Sequence, residues 1–309
     1  MTAREVRDLA ASVHARLLRL AHERGEELQR VLVKFALERF LFRLGASRIA
    51  GQYVLKGALL FQVWEAGLPR MTRDLDLLGL GDNSEAAIRA AFREILEAQA
   101  PGDGLRFDPE SVSVAPIAQQ TTYVGMRVKC RAFLGKAIIP LQIDVGFGDR
   151  VFPEPETITY PTLLEFPAPR VLAYAKETVV AEKTQAMIEL GLLNSRLKDY
   201  FDLCYLARTQ SFDGRRLQEA ITATLQRRKT PSPLDQPEGL SARFAAEAGK
   251  QAQWHAFQQR AGLAEEDLEN VVEQVSSFVS PVLEAMALDE EFAKQWPPAG
   301  PWHPSPPAD

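Results

Sequence analysis

The sequence predicts an α+β fold: a small mixed sheet with flanking helices, preceded by N-terminal helices and followed by a helical C-terminal domain. Three observations predict it. Apolar residues at three- and four-residue spacing fill both ends of the chain, strict apolar–polar alternation is confined to the middle, and a proline-rich stretch from Phe152 to Pro169 separates the last strands from a run of helices. At 309 residues the chain is longer than one ordinary domain. The expected divisions are an N-terminal helical extension over 1–50, a core over 51–169, a helical domain over 170–295 and a proline-rich, disordered tail over 296–309.

Taken in order, Val6, Leu9, Val13, Leu17 and Leu20 mark an amphipathic helix over 4–24, and Leu28 to Phe40 a second, which Gly45-Ala46-Ser47 ends. Tyr53-Val54-Leu55 is a short apolar run, after which Gly57 opens a helix reaching Trp64. Leu75 to Leu80 reads as a buried strand. Ser84 is a good N-cap for a helix over Ala86 to Ala98. Alternation then predicts strands over Val112–Ile117, Tyr123–Phe133 and Ala137–Val145, with Gly135-Lys136 turning between the last two. Helices are expected over 171–190, 196–208, 215–228, 241–261 and 265–287, with no strand after Pro169.

The net charge of −5 gives no general attraction for phosphate, but its distribution is uneven. Residues 1–60 carry 11 Lys/Arg against 6 Asp/Glu, a landing surface for RNA or simply a solvated helix face. Cys130 and Cys204 make no disulfide framework and no C-x-x-C pair, which fits a reducing compartment. Neither an N-terminal signal segment nor an apolar run of membrane-spanning length stands out, so the expectation is a soluble cytoplasmic protein. His14, His22, His255 and His303 lack metal-ligand spacing, and no serine has an evident histidine partner for acyl transfer.

The chemistry concentrates at Asp74-Leu75-Asp76. Residues two apart on a strand share a face, and two carboxylates there repel unless a cation stands between them. Magnesium suits that place, because it takes one or two carboxylates and completes its shell with substrate phosphates. The alternative is two solvated acids at a strand mouth. Upstream, Lys56-Gly57-Ala58 puts a glycine and a cation at a helix start, where backbone N–H groups can cradle phosphate; close packing is the competing reason for the glycine. Downstream, Asp144 stands among the apolar residues of Leu141 to Val145 and needs a partner, either a shared metal or a nearby arginine.

A glycine at a helix mouth, an Asp-x-Asp strand and a third acid on a neighbouring strand together resemble the DNA polymerase β-like nucleotidyltransferase superfamily. Two further segments sharpen the likeness: Ala181-Glu182-Lys183-Thr184, and Asn194-Ser195-Arg196-Leu197-Lys198-Asp199-Tyr200-Phe201-Asp202-Leu203. With Leu55-Lys56-Gly57-Ala58 and Thr72-Arg73-Asp74-Leu75-Asp76, they resemble the AbiEii/AbiGii toxins, nucleotidyltransferases of type IV toxin–antitoxin and phage-defence systems. The resemblance implies a polymerase β-like core using magnesium or manganese and an NTP substrate. It implies Asp74 and Asp76 as metal-binding catalytic acids, with Asp144 completing the metal site. Lys183 would engage the triphosphate, Asp199 would act near the acceptor, and Lys56, Gly57, Ala58, Thr72 and Arg73 would bind the nucleotide. It further implies transfer of NMP to RNA, specifically the tRNA 3′ end, with a block of translation, and a cognate antitoxin as partner. Many members have Gly-Gly or Gly-Ser where this chain has Gly57-Ala58, which removes a hydroxyl but leaves the backbone donors.

Read from the residues alone, Lys183 could equally snorkel from an apolar helix, and Asp199 or Asp202 could pair with Arg196 or Lys198. Arg227-Arg228-Lys229 ends a helix, where cations suit the dipole or could grip RNA. The rival functions are transfer to a small molecule or a protein hydroxyl, and a catalytically silent interaction module.

Overall fold

The computed structural model describes residues 8–64, 74–117, 125–148 and 151–305. These fall into two compact units: one of residues 8–64, 74–117, 125–148 and 156–173, the other of 151–155 and 174–305. The N-terminal helices belong to the same unit as the sheet and form no separate extension.

In the first unit α1 (Leu9–Arg24) starts at Asp8, whose carboxylate accepts the Ala11 N–H at 2.9 Å, and stops at Gly25 in the left-handed region. Val13, Leu17 and Ala21, four apart, are its buried stripe. The longer α2 (Leu28–Ala46) buries apolar Phe35, Phe40 and Leu41 together with charged Glu38, Arg39 and Arg43. Arg39 and Arg43 both reach Asp103, at 3.1 and 2.8 Å, while Arg39 donates to the Pro167 carbonyl and Glu38 accepts the Leu163 N–H. An ion network inside α2 therefore fixes the proline-rich loop, a role its apolar pattern did not suggest.

The sheet strands are β1 (Tyr53–Lys56), β2 (Leu75–Gly79), β3 (Leu105–Pro116), β4 (Gly125–Leu134), β5 (Ala137–Phe147), β6 (Glu156–Thr159) and β7 (Arg170–Ala173). Their order is β3-β4-β5-β2-β1-β7-β6. Strands β3, β4 and β5 form an antiparallel meander, whereas β2 runs parallel to β5 and β1 parallel to β7. A short 3₁₀ turn over Gly57–Leu60 and α3 (Phe61–Trp64) follow β1. Helix α4 (Glu85–Glu97) is capped as expected by Ser84, which accepts from Ala87 N–H at 3.3 Å. The expected helix start at 171 is instead β7. A run as short as Val171-Leu172-Ala173 carries no period, and pairing with β1 decides its conformation.

The second unit is mainly helical: α5 (Lys176–Leu190), α6 (Leu197–Thr209), α7 (Gly214–Arg228), α8 (Ala242–Ala246), α9 (Ala248–Ala261) and α10 (Leu268–Ala287). The helix expected over 241–261 is two, parted at Glu247, which is extended between them. Three short strands, β8 (Phe212–Asp213), β9 (Lys294–Trp296) and β10 (His303–Pro304), make a second sheet in the order β10-β9-β8. The tail expected to be disordered is therefore packed as far as Ser305. Trp296 is buried and donates to the Ala207 carbonyl, and Trp302 donates to the Phe278 carbonyl and stacks on that ring. Composition gave the prolines more weight than the two indoles, whose packing and hydrogen bonds order the segment.

Candidate active site

The acids lie on the face of the sheet opposite its core. On β2 and β5 the residues Leu75, Leu77, Ile143 and Val145 are buried, while Asp76, Gln142 and Asp144 alternate with them towards the other side. Register then lines up four charges. Lys56 of β1 pairs with Asp76 of β2, Asp76 with Asp144 of β5, and Asp144 with Arg127 of β4. Across four strands the row reads cation, acid, acid, cation. Cross-strand neighbours on one face stand about 5 Å apart, so each carboxylate has one like and one opposite charge beside it.

Arg127 closes the row with a bidentate grip on Asp144, Nε and Nη2 both at 2.8 Å. Of the two partners open to Asp144 from sequence, the arginine is present. The Asp144 hydrogen bond, reinforced by the charges of Asp74 and Asp76, raises the guanidinium pKa above its ordinary value. Asp74, one step before β2, accepts from Gln142 Nε2 at 3.2 Å. Lys56 carries its ammonium over Gly146, where a β-carbon would come within 3.2 Å of Nζ.

Gly57 is fixed by two constraints at once. Its φ of +75° lies in the left-handed region, and a β-carbon there would stand 2.2 Å from Asp76 Oδ2 and 2.9 Å from its Cγ. The glycine thus lets the Asp76 carboxylate lie against the turn that follows β1. Ala58, next in the 3₁₀ turn, is half-buried. Thr72 and Arg73, expected at the nucleotide, lie outside the described residues.

The second unit holds its own charge cluster. Lys183 of α5 donates to Asp199 at 2.6 Å and to Asp202 at 2.9 Å, both on α6. The side chains are 15%, 8% and 1% exposed respectively, so the lysine does not snorkel. Burial opposes its charge, but the two carboxylates outweigh burial and hold the ammonium pKa above its ordinary value. Both acids thus share an interhelical partner that the local pairs with Arg196 and Lys198 did not anticipate. Arg227 and Arg228, considered for RNA, are largely buried near Glu182, at 3.8 and 3.3 Å, and Arg228 also donates to Gln185. They join α7 to α5 instead.

Among the described residues no three His, Cys, Asp or Glu side chains stand together as a ready metal site. The paired hard oxygens of Asp74 and Asp76 still match magnesium, which takes one or two carboxylates and fills the rest of its shell from water and phosphate. The absence of a β-carbon at Gly57 leaves the Asp76 carboxylate the space it occupies beside that turn.

Residues 39–279 match the family model described as nucleotidyl transferase AbiEii toxin, Type IV TA system. The chain belongs to that family. No curated protein sequence matches it. JHP933 from Helicobacter pylori resembles this AbiEii chain at 16% identity and a TM-score of 0.46, over 82% of this chain and 90% of that one. A candidate nucleotidyltransferase from H. pylori does so at 16% identity and 0.44, over 82% and 93%. Among the described residues of the AbiEii chain no helix is long and apolar enough to cross a membrane. Of the residues singled out in the sequence, Lys56, Asp76 and Asp144 fall in one row, and Lys183 and Asp199 in one cluster with Asp202; Arg127 and Gln142 were not among them. The alternation Met126-Arg127-Val128 placed Arg127 on the polar face; only the register of β4 against β5 sets it beside Asp144.

Proposed function

We propose that this AbiEii-family chain transfers NMP from an NTP to the 3′ end of tRNA in the cytoplasm, so that the tRNA no longer serves translation. The row Lys56–Asp76–Asp144–Arg127, with Gly57 clearing Asp76, is the observation that carries this reading. Asp74 and Asp76 would hold magnesium or manganese, which supplies a positive charge against the triphosphate. Asp144, held by Arg127, would complete the metal site.

The acceptor hydroxyl oxygen forms a bond to the α-phosphorus, and the bond from that phosphorus to the β-bridging oxygen breaks, releasing pyrophosphate. Lys56 and the backbone after Gly57 and Ala58 bind the phosphates, with Thr72 and Arg73 beside the acids in sequence. The family resemblance assigns Lys183 to the triphosphate and Asp199 to the acceptor hydroxyl, whose proton it would take. Asp202 holds Lys183 when Asp199 is so engaged. A cognate antitoxin of the type IV system is the partner, and defence against phage the setting.

The test is to incubate the protein with magnesium, each α-labelled NTP and total RNA. Label at the tRNA 3′ end, lost in Asp74→Asn and Asp76→Asn, is the expected result. Label on a small molecule or a protein, with RNA left clean, overturns the acceptor.

A further inference from the structure

The polar face of the sheet does not end at the acids. Along β4 the residues Arg127, Lys129, Arg131 and Phe133 alternate with buried Met126, Val128, Cys130 and Ala132, so all four point to the side that carries Asp76 and Asp144. Lys129 is exposed, and the Arg127 and Arg131 side chains are 39% and 55% exposed. Arg131 is paired with Asp108 on β3 at 3.1 Å, an exposed contact that water already weakens and a phosphate can displace. The strip ends on an aromatic ring. Arg106, the β3 partner of Phe133, lies over that ring at 4.3 Å from its centroid, and Ile138, its β5 partner, is 57% exposed.

The strip runs alongside the acids. Arg127 grips Asp144, the neighbour of Asp76, and Lys129 pairs across β4–β5 with Gln142, which donates to Asp74. One strand, β5, separates the cations from Asp74 and Asp76. Cations at every second residue, leading from an Asp-x-Asp site to an arginine-backed ring and an exposed aliphatic side chain, match a single nucleic-acid strand. Its phosphates meet the cations, and a base stacks on the ring.

We propose that the open face of β3–β4–β5 binds the single-stranded RNA segment leading to the acceptor hydroxyl, with phosphates on Lys129 and Arg131 and a base against Phe133 and Arg106. This rests on the transferase reading above, since it makes the strip the approach to Asp74 and Asp76. It also moves the RNA contact from the N-terminal helices and from Arg227 and Arg228 to the sheet.

The experiment measures, with the full chain, the affinity of a labelled single-stranded RNA of roughly 12 nucleotides over a salt series. The double variant Lys129→Glu/Arg131→Glu is expected to bind at least about tenfold more weakly, with a salt slope shallower by about 1.4 for two lost phosphate contacts. Phe133→Ala weakens binding about fivefold or more and Phe133→Tyr restores it, because tyrosine keeps the stacking face. Magnesium–NTP affinity, read separately, stays at the parent value in all three. RNA affinity within twofold of parent in both Lys129→Glu/Arg131→Glu and Phe133→Ala overturns the strip, even if the parent transfers label. An equal fall in NTP affinity overturns it too, since the effect is then on the fold. A parent that binds RNA through the strip yet transfers no nucleotide overturns the transferase reading and leaves the strip standing.

Discussion

Gly57 and Asp76 occupy one another's space: the carboxylate Oδ2 stands 2.2 Å from where a β-carbon on residue 57 would sit. Gly57→Ala therefore does two things. It forces an alanine to φ near +75°, which destabilises the fold by about 1–2 kcal/mol. It also drives the Asp76 carboxylate out of register with Asp144. The expected outcome is loss of magnesium–nucleotide binding by about tenfold or more in a protein that still folds, checked by calorimetric titration beside chemical denaturation. An alanine variant with parental nucleotide affinity would show that the position of Asp76 does not matter.

Lys183 holds two acids that stand three residues apart on α6, and both are buried. Lys183→Met removes the ammonium that both acids accept from, and breaking a buried pair in this way costs about 3–5 kcal/mol. Lys183→Met with Asp199→Asn and Asp202→Asn removes the charges together and recovers most of that loss. Denaturant midpoints of the two variants check it. If the triple variant recovers stability but not transfer, the cluster has a chemical role beyond joining α5 to α6.

Most elements were legible because their signals are local. The Ser84 cap, the alternation through β4 and β5 and the 3.6-residue period of α6 and α10 each depend on neighbours within a turn or two. What was not legible depends on pairing across the chain. β7 is a strand because β1 lies beside it, and Arg39 is a core residue because Asp103 and the Pro167 carbonyl reach it. The site divides the same way. Asp-x-Asp and the lone acid of β5 could be read directly, but the order of charges from Lys56 to Arg127 is a property of strand register.

Glu38 gives the fold a pH dependence of unusual sign. Burial, against the opposing Leu163 N–H and Arg39, raises its pKa from 4.5 to about 7. Between those values the unfolded chain has released the proton and the folded chain still holds it, so stability falls as pH rises. The group's share of that fall is about 3 kcal/mol at most between pH 4.5 and 7. Glu38→Gln keeps an acceptor for Leu163 and carries no titrating proton. Its stability above pH 7 should exceed that of the parent, and the pH slope in this window should flatten. Parallel pH–stability curves for the two proteins would mean Glu38 is ionised in the fold.

Arg127 makes the last prediction, because its removal acts on acids it does not belong to. With Arg127 in place, Asp144 is compensated and Asp76 has Lys56 on its other side. Arg127→Ala leaves Asp76 and Asp144 side by side, with Lys56 the remaining cation of the row on the far side of Asp76. The Asp144 carboxylate then loses both hydrogen bonds that fix it. Transfer should fall by about tenfold to a hundredfold, the cost of a misplaced group in a site that works by position. Arg127→Lys, which keeps the charge but not the bidentate grip, should fall less. The double variant Arg127→Ala/Asp144→Asn removes the repulsion with the charge, and should regain stability, read from denaturant midpoints, without regaining transfer. Parental rate and stability in Arg127→Ala would make the arginine a surface residue of β4 alone.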